Sequence, residues 1–272
     1  MTMDEPGKVV GETVPEDNWE HKELYDRVKE TIVALPSYFD SDISIRGLDA
    51  EDLFSLGGVL ATAIENNVVE TLNEMRAVWD PDDEYPDCSF MRQSQTFPDV
   101  LLVRRLEGGK SEPIMGIELK SWYLLSKEGE PSFRYEVTPD ACAPQDLLVV
   151  FTWSLSEVIS GSPEIYEPYV CSAKWASRYV DYYWKVLRDT NLDTTINRPT
   201  GIEPYPASKS DAIQDDPVSD SGGNYGRLAR ARMMDDYLDR MVNARLAGIR
   251  AEKWIDFLLE ARDEDTQANL SL

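Results

Sequence analysis

Asp99, Glu118 and Lys120 are the residues in this chain best placed to do chemistry. They lie within "FPDVLLVRRLEGGKSEPIMGIELKSWYLL", residues 97–125. Asp99 opens one apolar run, and Glu118-Leu119-Lys120 sits inside a second, with 18 residues between the two acids. Charged groups are rarely built into apolar strands without a partner or a task. In a strand, alternation puts Glu118 and Lys120 on one face and Leu119 on the other. A hairpin through the glycine-containing turn "EGGKSE" would bring Asp99 beside them. Two carboxylates at close range raise each other's pKa, and a divalent cation removes that conflict. Oxygen ligands in a partly hydrated site favour Mg²⁺. Such an ion lowers the pKa of a bound water and neutralises charge developing on a phosphate. Lys120 could orient or deprotonate the attacking water, or hold the phosphate. The set suits phosphodiester hydrolysis, although the same residues would also make an ordinary ion-paired hairpin.

The pattern gains weight from its context. The chain holds four Pro-Asp pairs (81–82, 86–87, 98–99 and 139–140) and two acid-x-Lys triplets, at 20–22 and 118–120. Only one combination has the right order, a glycine turn between and strand-like flanks on both sides. Upstream, residues 50–80 have helical period, with Leu53, Leu56, Leu60, Ile64, Val68, Leu72, Met75 and Trp79 three or four apart. Gly57-Gly58 is the weak point of that helix, which would then start only after the pair. On its wheel Glu65 falls at the margin of the apolar stripe, while Glu70 points away. A carboxylate at that margin needs a partner, either the acid–lysine site or Arg76.

"FPDV" and "GIELK" with an upstream helical glutamate resemble the PD-(D/E)xK nuclease superfamily, more narrowly the type II restriction endonucleases, over residues 60–155. The segment "SGGNYGRLAR" is similar, less specifically, to uncharacterised members. The resemblance implies an α/β, restriction-endonuclease-like core. It also implies Mg²⁺ held by Asp99, Glu118 and the Leu119 carbonyl, with Mn²⁺ able to substitute. Lys120 would be catalytic, and Glu65 would match the glutamate that many members carry on the helix before the core.

The remaining elements must position these groups. A first helix is expected over 21–36, and a strand over 97–104. A long bent or bulged strand follows over 114–125, and a third strand over 132–138. "DLLVVFTWSL" (146–155) is apolar on both faces and reads as a central strand. A helix follows over 169–188; its Tyr179, Tyr182, Tyr183 and Trp184 suit a core better than a stacking platform. The order predicts a mixed central sheet flanked by helices. Residues 1–20 read as loosely ordered, 21–197 as the nuclease core, 198–224 as a loop or linker rich in Pro, Ser, Gly and Asp, and 225–272 as extra C-terminal helices on the core. No internal repeat is present.

Composition limits the function. The formal net charge is −24, whereas DNA binding leans on cations set against phosphate. The basic residues must then be concentrated locally. Arg227 and Arg230 in the arginine-containing 227–250 segment, and Arg92 and Gln93 just before the Asp99 strand, are the candidates for contact with DNA. The acidity itself reads as a solvated surface, as adaptation to high salt, or as mimicry of DNA by an inhibitor. Three cysteines suit neither a disulfide framework nor a zinc site. A single histidine, His21, excludes histidine metal clusters and argues against a Ser-His-Asp hydrolase. There is no Walker-type phosphate loop. With no apolar run of membrane length and no secretory signal, a cytoplasmic protein is expected. The partners expected are double-stranded DNA and a second copy of the chain. The rival readings are a repair or recombination nuclease that selects DNA structure, and a nuclease-fold module that binds DNA without cutting it.

Overall fold

Residues 117 and 147, thirty apart in the chain, lie side by side in the centre of a mixed sheet. The computed structural model describes residues 11–46, 52, 56–93, 96–126, 129–188, 195–207, 213–220 and 222–270, with side chains through 261. Its strands are β1 (Cys88–Arg92), β2 (Val100–Arg105), β3 (Ser111–Tyr123), β4 (Leu147–Leu155), β5 (Pro163–Ile165) and β6 (Tyr169–Ser172). They run in the order β1-β2-β3-β4-β5, and β6 pairs with the first half of β4 beside β5. β1, β2 and β3 are antiparallel neighbours, β3 and β4 are parallel, and β5 and β6 are antiparallel to β4. The pairing of β2 with β3 shifts register between Leu102 and Val103, the irregularity expected of the long second strand. All nine residues of β4 are buried, as a strand apolar on both faces requires.

Helices flank this sheet. α1 (Lys22–Ala34) packs on α3 (Arg76–Trp79). α2 (Leu56–Glu74) lies on β1 and β3, with Leu60, Ile64, Val68 and Leu72 buried along its apolar stripe. Its helix runs through Gly57-Gly58, because tertiary packing outweighs the cost of two glycines; Gly57 lies against the Tyr123 β-carbon. Leu53, the first residue of the expected apolar stripe, lies outside the described residues. α4 (Ala173–Tyr182) packs on β4 and β6 and continues into a π-helical turn over Tyr183–Leu187.

Two expectations are corrected. The 132–138 segment is not a strand of the sheet; it makes only isolated bridges, Arg134 to Arg227 and Val137 to Gln214. Parallel pairing of β3 with β4 requires a crossover of a dozen or more residues, and 124–146 is that crossover. Its amides bond elsewhere, Tyr135 N to Gly226 O at 2.7 Å and Thr138 N to Ile213 O at 2.9 Å. The helix expected from 169 begins at 173, because Tyr169–Ser172 pairs with β4 as β6. Ser172 then caps it, its Oγ accepting from Trp175 N at 3.2 Å. β1 and β5 were not anticipated. Along α4, Trp184 is buried and Tyr179, Tyr182 and Tyr183 are half-buried.

Described residues of the 198–224 stretch bond to the rest of the fold. β7 (Ile196–Asn197) and β8 (Asp216–Pro217) pair across it, and the Tyr205 hydroxyl donates to Asp146. Beyond it lie a 3-10 turn (Leu228–Ala231), α5 (Asp235–Val242), the pair β9 (Arg245–Leu246) and β10 (Ile249–Arg250), and α6 (Ala251–Leu270). Residues 11–20 carry no helix or strand, and residues 1–10 lie outside the described residues. No helix among the described residues is long and apolar enough to cross a membrane.

The 198–224 stretch carries a pH-sensitive carboxyl. Asp215 is 1% exposed, and burial pushes its pKa up to about 7, against the pull of Arg198 and Thr138. A carboxyl raised on folding stabilises the native state below its unfolded pKa, and that contribution is lost as pH rises through about 7. Asp215→Asn removes the cost of the buried charge, on the order of 2–4 kcal/mol at pH 8. Thermal unfolding is therefore expected to show a Tm gain at pH 8 that shrinks at pH 5. A gain equal at both pH values, or a loss at pH 8, would contradict this.

Candidate active site

β2 begins at Val100, paired with Ile117, so Asp99 lies in the opening one residue before the β2–β3 pairing starts. Past that point β3 continues with no strand on its β2 side. The Asp99 side chain takes the place of the missing strand, its Oδ2 accepting from Leu119 N at 2.9 Å. The N–H and C=O of a strand residue point to the same side, so the Leu119 carbonyl is directed to the Asp99 side as well.

Glu118 and Lys120 share the opposite pleat from the buried Leu119, and Lys120 Nζ donates to Glu118 Oε1 at 2.5 Å. Glu118 is 7% exposed. Burial pushes its carboxyl up to about 7; Lys120 opposes the rise and neighbouring Asp99 adds to it. Burial alone would lower the Lys120 ammonium, but Glu118, Asp99 and Glu65 together hold it above its ordinary value. One ammonium thus faces three acids.

Glu65 arrives from α2. Two turns further along that helix, the Asn73 carboxamide grips the edge strand β1, accepting from Phe90 N at 2.9 Å and donating to Phe90 O at 3.0 Å. This fixes α2 against β1, and Glu65 meets Arg92 at the end of β1 at 3.1 Å. Burial raises the Glu65 carboxyl and the charge on Asp99 raises it further, against the hydrogen bond and charge of Arg92. The partner of Glu65 is therefore Arg92. Arg76 instead donates to the carbonyls of Tyr85, Pro86 and Cys88 and pairs with Asp80.

Gly116, two residues before Glu118, lets the two ends of the site close. A β-carbon there would overlap the Pro98 ring and lie 2.8 Å from Asp146 Oδ1. Asp146 is fully buried, with Oδ1 accepting from Gly116 N at 2.7 Å and Tyr205 Oη at 2.9 Å, and Oδ2 accepting from Ala143 N at 2.7 Å. Burial raises its carboxyl to about 6, against those donors. The sequence reading missed Asp146 and Asn73. The available signal for Asp146 was an acid set directly against the largely apolar run of β4.

The fold thus brings Glu65, Asp99, Glu118 and Lys120 together, with Arg92 beside them. Gln93 also lies here, with its amide turned onto Pro98 O at 2.9 Å. Arg227 and Arg230 do not join this group through their contacts. Arg227 caps a 3-10 turn and Arg230 lies inside it, so they do not share an α-helical face; Arg227 bridges to Arg134, and Arg230 pairs with Glu130 at 3.5 Å and bonds Asn224.

Among the described residues, no set of three or more His, Cys, Asp and Glu side chains surrounds one point. A cation at this site would rest on two carboxylates and the Leu119 carbonyl, with water filling its other positions. That arrangement is ordinary for Mg²⁺, which keeps several waters when bound by one or two carboxylates. The raised Glu118 carboxyl beside Asp99 supports the fit, since a cation would relieve both the burial and the repulsion. No family model and no curated protein sequence matches this chain.

Proposed function

We propose that this chain is a Mg²⁺-dependent endodeoxyribonuclease that hydrolyses phosphodiester bonds of duplex DNA, a restriction or defence enzyme with a restriction-endonuclease-like core. One observation carries the reading. The Asp99 carboxylate bonds the Leu119 amide just before β2 begins, beside a buried Glu118–Lys120 pair. Two acids and a lysine from neighbouring strands are then gathered at an opening in the sheet, with a backbone carbonyl directed to the same side.

Asp99, Glu118 and the Leu119 carbonyl would hold the ion. When bound, Mg²⁺ or Mn²⁺ supplies a more acidic water and neutralises charge on the phosphate. Lys120 pairs with Glu118, favouring its anionic form, and presents an ammonium to the attacking water or a phosphate oxygen. Glu65 adds a third acid at the margin, and Arg92 restrains it while offering its remaining guanidinium hydrogens to the DNA backbone. Arg227 and Arg230 extend the contact with DNA outside the site. Symmetric cutting of both strands calls for a homodimer, since two-fold DNA is matched by two-fold protein. A cytoplasmic enzyme fits this role. The test is digestion of supercoiled plasmid with Mg²⁺ and with chelator. Discrete fragments in Mg²⁺ alone support the proposal; DNA that is bound but never cut in Mg²⁺ or Mn²⁺ rejects it.

A further inference from the structure

The peptide between Pro98 and Asp99 sits just before β2 begins, where the sheet has stopped supplying backbone partners. On the β3 side, the Leu119 amide that would face this point is already taken by the Asp99 side chain. Pro98 is buried, so its carbonyl needs a donor from elsewhere. Both carbonyls around this peptide are met by one residue. The Gln93 backbone N–H donates to Asp99 O at 2.6 Å, and the Gln93 Nε2 donates to Pro98 O at 2.9 Å. Gln93 directly follows β1, whose last pair is Arg92 with Val100. Its main chain therefore extends the ladder by one rung, and its side chain adds a bond that no strand could make.

We propose that Gln93 is the positioning residue for Asp99, acting on the metal through the backbone of its ligand rather than by reading a DNA base. The inference rests on the reading of Asp99 as a metal ligand. The Asp99 carboxylate must face Leu119 N and the ion together, so its backbone has little freedom to rotate. Without the Gln93 amide, the buried Pro98 carbonyl must turn towards water, and the adjoining Asp99 turns with it. Outer partners of metal ligands commonly change affinity by 10–100-fold when removed.

The experiment uses the full chain and Mn²⁺ as the probe. Electron paramagnetic resonance of free Mn²⁺ gives its affinity without DNA. Cleavage gives the Mg²⁺ concentration for half-maximal rate and the KM for a duplex. Wild type is compared with Asp99→Ala, Gln93→Ala and Gln93→Met, with Tm measured for each; the methionine keeps the bulk of the side chain if alanine fails to fold. The expected result is loss of Mn²⁺ binding in Asp99→Ala. Both Gln93 variants should show affinity about 10-fold weaker, with a matching rise in the Mg²⁺ requirement and an unchanged duplex KM. Wild-type Mn²⁺ affinity in the Gln93 variants overturns the proposal while the site stands, whether KM rises, as for a base contact, or only Tm falls, as for packing. Wild type and Asp99→Ala binding Mn²⁺ alike, or neither binding it, rejects the metal site itself and the role of Gln93 with it.

Discussion

Asp99→Ala and Lys120→Ala are each expected to lower plasmid cleavage in Mg²⁺ by about 100-fold or more, with the fold retained. Asp99→Ala removes one of the two carboxylates and frees the Leu119 amide. Lys120→Ala removes the ammonium that faces Glu118, Asp99 and Glu65. A group that stabilises developing charge in a buried site is typically worth 10²–10³ in kcat, roughly 3–4 kcal/mol. Breaking a buried ion pair usually costs about 3–5 kcal/mol of stability. Here the cost should be smaller, because Glu118 with a pKa already near neutrality can take up a proton once Lys120 is gone. Lys120→Arg is not expected to restore the rate, since a planar fork does not replace a compact ammonium. Cleavage that persists undiminished in both alanine variants would remove the assigned site.

Gly116→Ala is expected to lose about as much activity without removing any ionisable group. The added methyl group meets the Pro98 ring on one side and the Asp146 carboxylate on the other. Asp146 is tied down by Gly116 N, Ala143 N and Tyr205 Oη, so it cannot yield. Pro98 must move and carry Asp99 with it. Overpacking costs about 1–3 kcal/mol of stability, and a misplacement of about 1 Å at a catalytic centre costs about 100-fold in rate. Gly58→Ala is the matched control. Nothing lies within 4 Å of its missing β-carbon and it sits inside α2, so it should gain about 0.5–1 kcal/mol in denaturant unfolding and keep full activity. Gly116→Ala as active and as stable as wild type would contradict the packing described for Pro98 and Asp146.

The site was legible where it depended on local period. Alternation placed Glu118 and Lys120 on one face, a glycine turn joined the two strands, and a helical wheel set Glu65 at the edge of the core. β4 was legible because a run of nine residues with no polar face has only a buried place to go. The elements missed were those decided by distant partners. "FRYEV" (133–137) alternates like a strand, yet its amides meet Gly226 and Ile213 from the far end of the chain. Tyr169–Ser172 carries no signal in its residues that separates it from the helix behind it, and only the free edge of β4 makes it a strand. β1 is short and exposed at its end, and it depends on the Asn73 carboxamide of α2. The choice of Arg92 over Arg76 as the partner of Glu65 follows from that same strand, and no spacing along the helix encodes it. Arg227 and Arg230 read as neighbours on a helix because their offset is three, but a 3-10 turn and the acid Glu130 determine where they point.

The central claim is that Asp99 and Glu118 share one divalent ion at the opening between β2 and β3. Anomalous diffraction from crystals grown with Mn²⁺ tests it most directly. The account predicts a single strong peak about 2.0–2.3 Å from a carboxylate oxygen of Asp99, one of Glu118 and the carbonyl oxygen of Leu119, since hard cations bind oxygen at such distances. A peak held by other residues, or Asp99 and Glu118 left bare at saturating Mn²⁺, would contradict it.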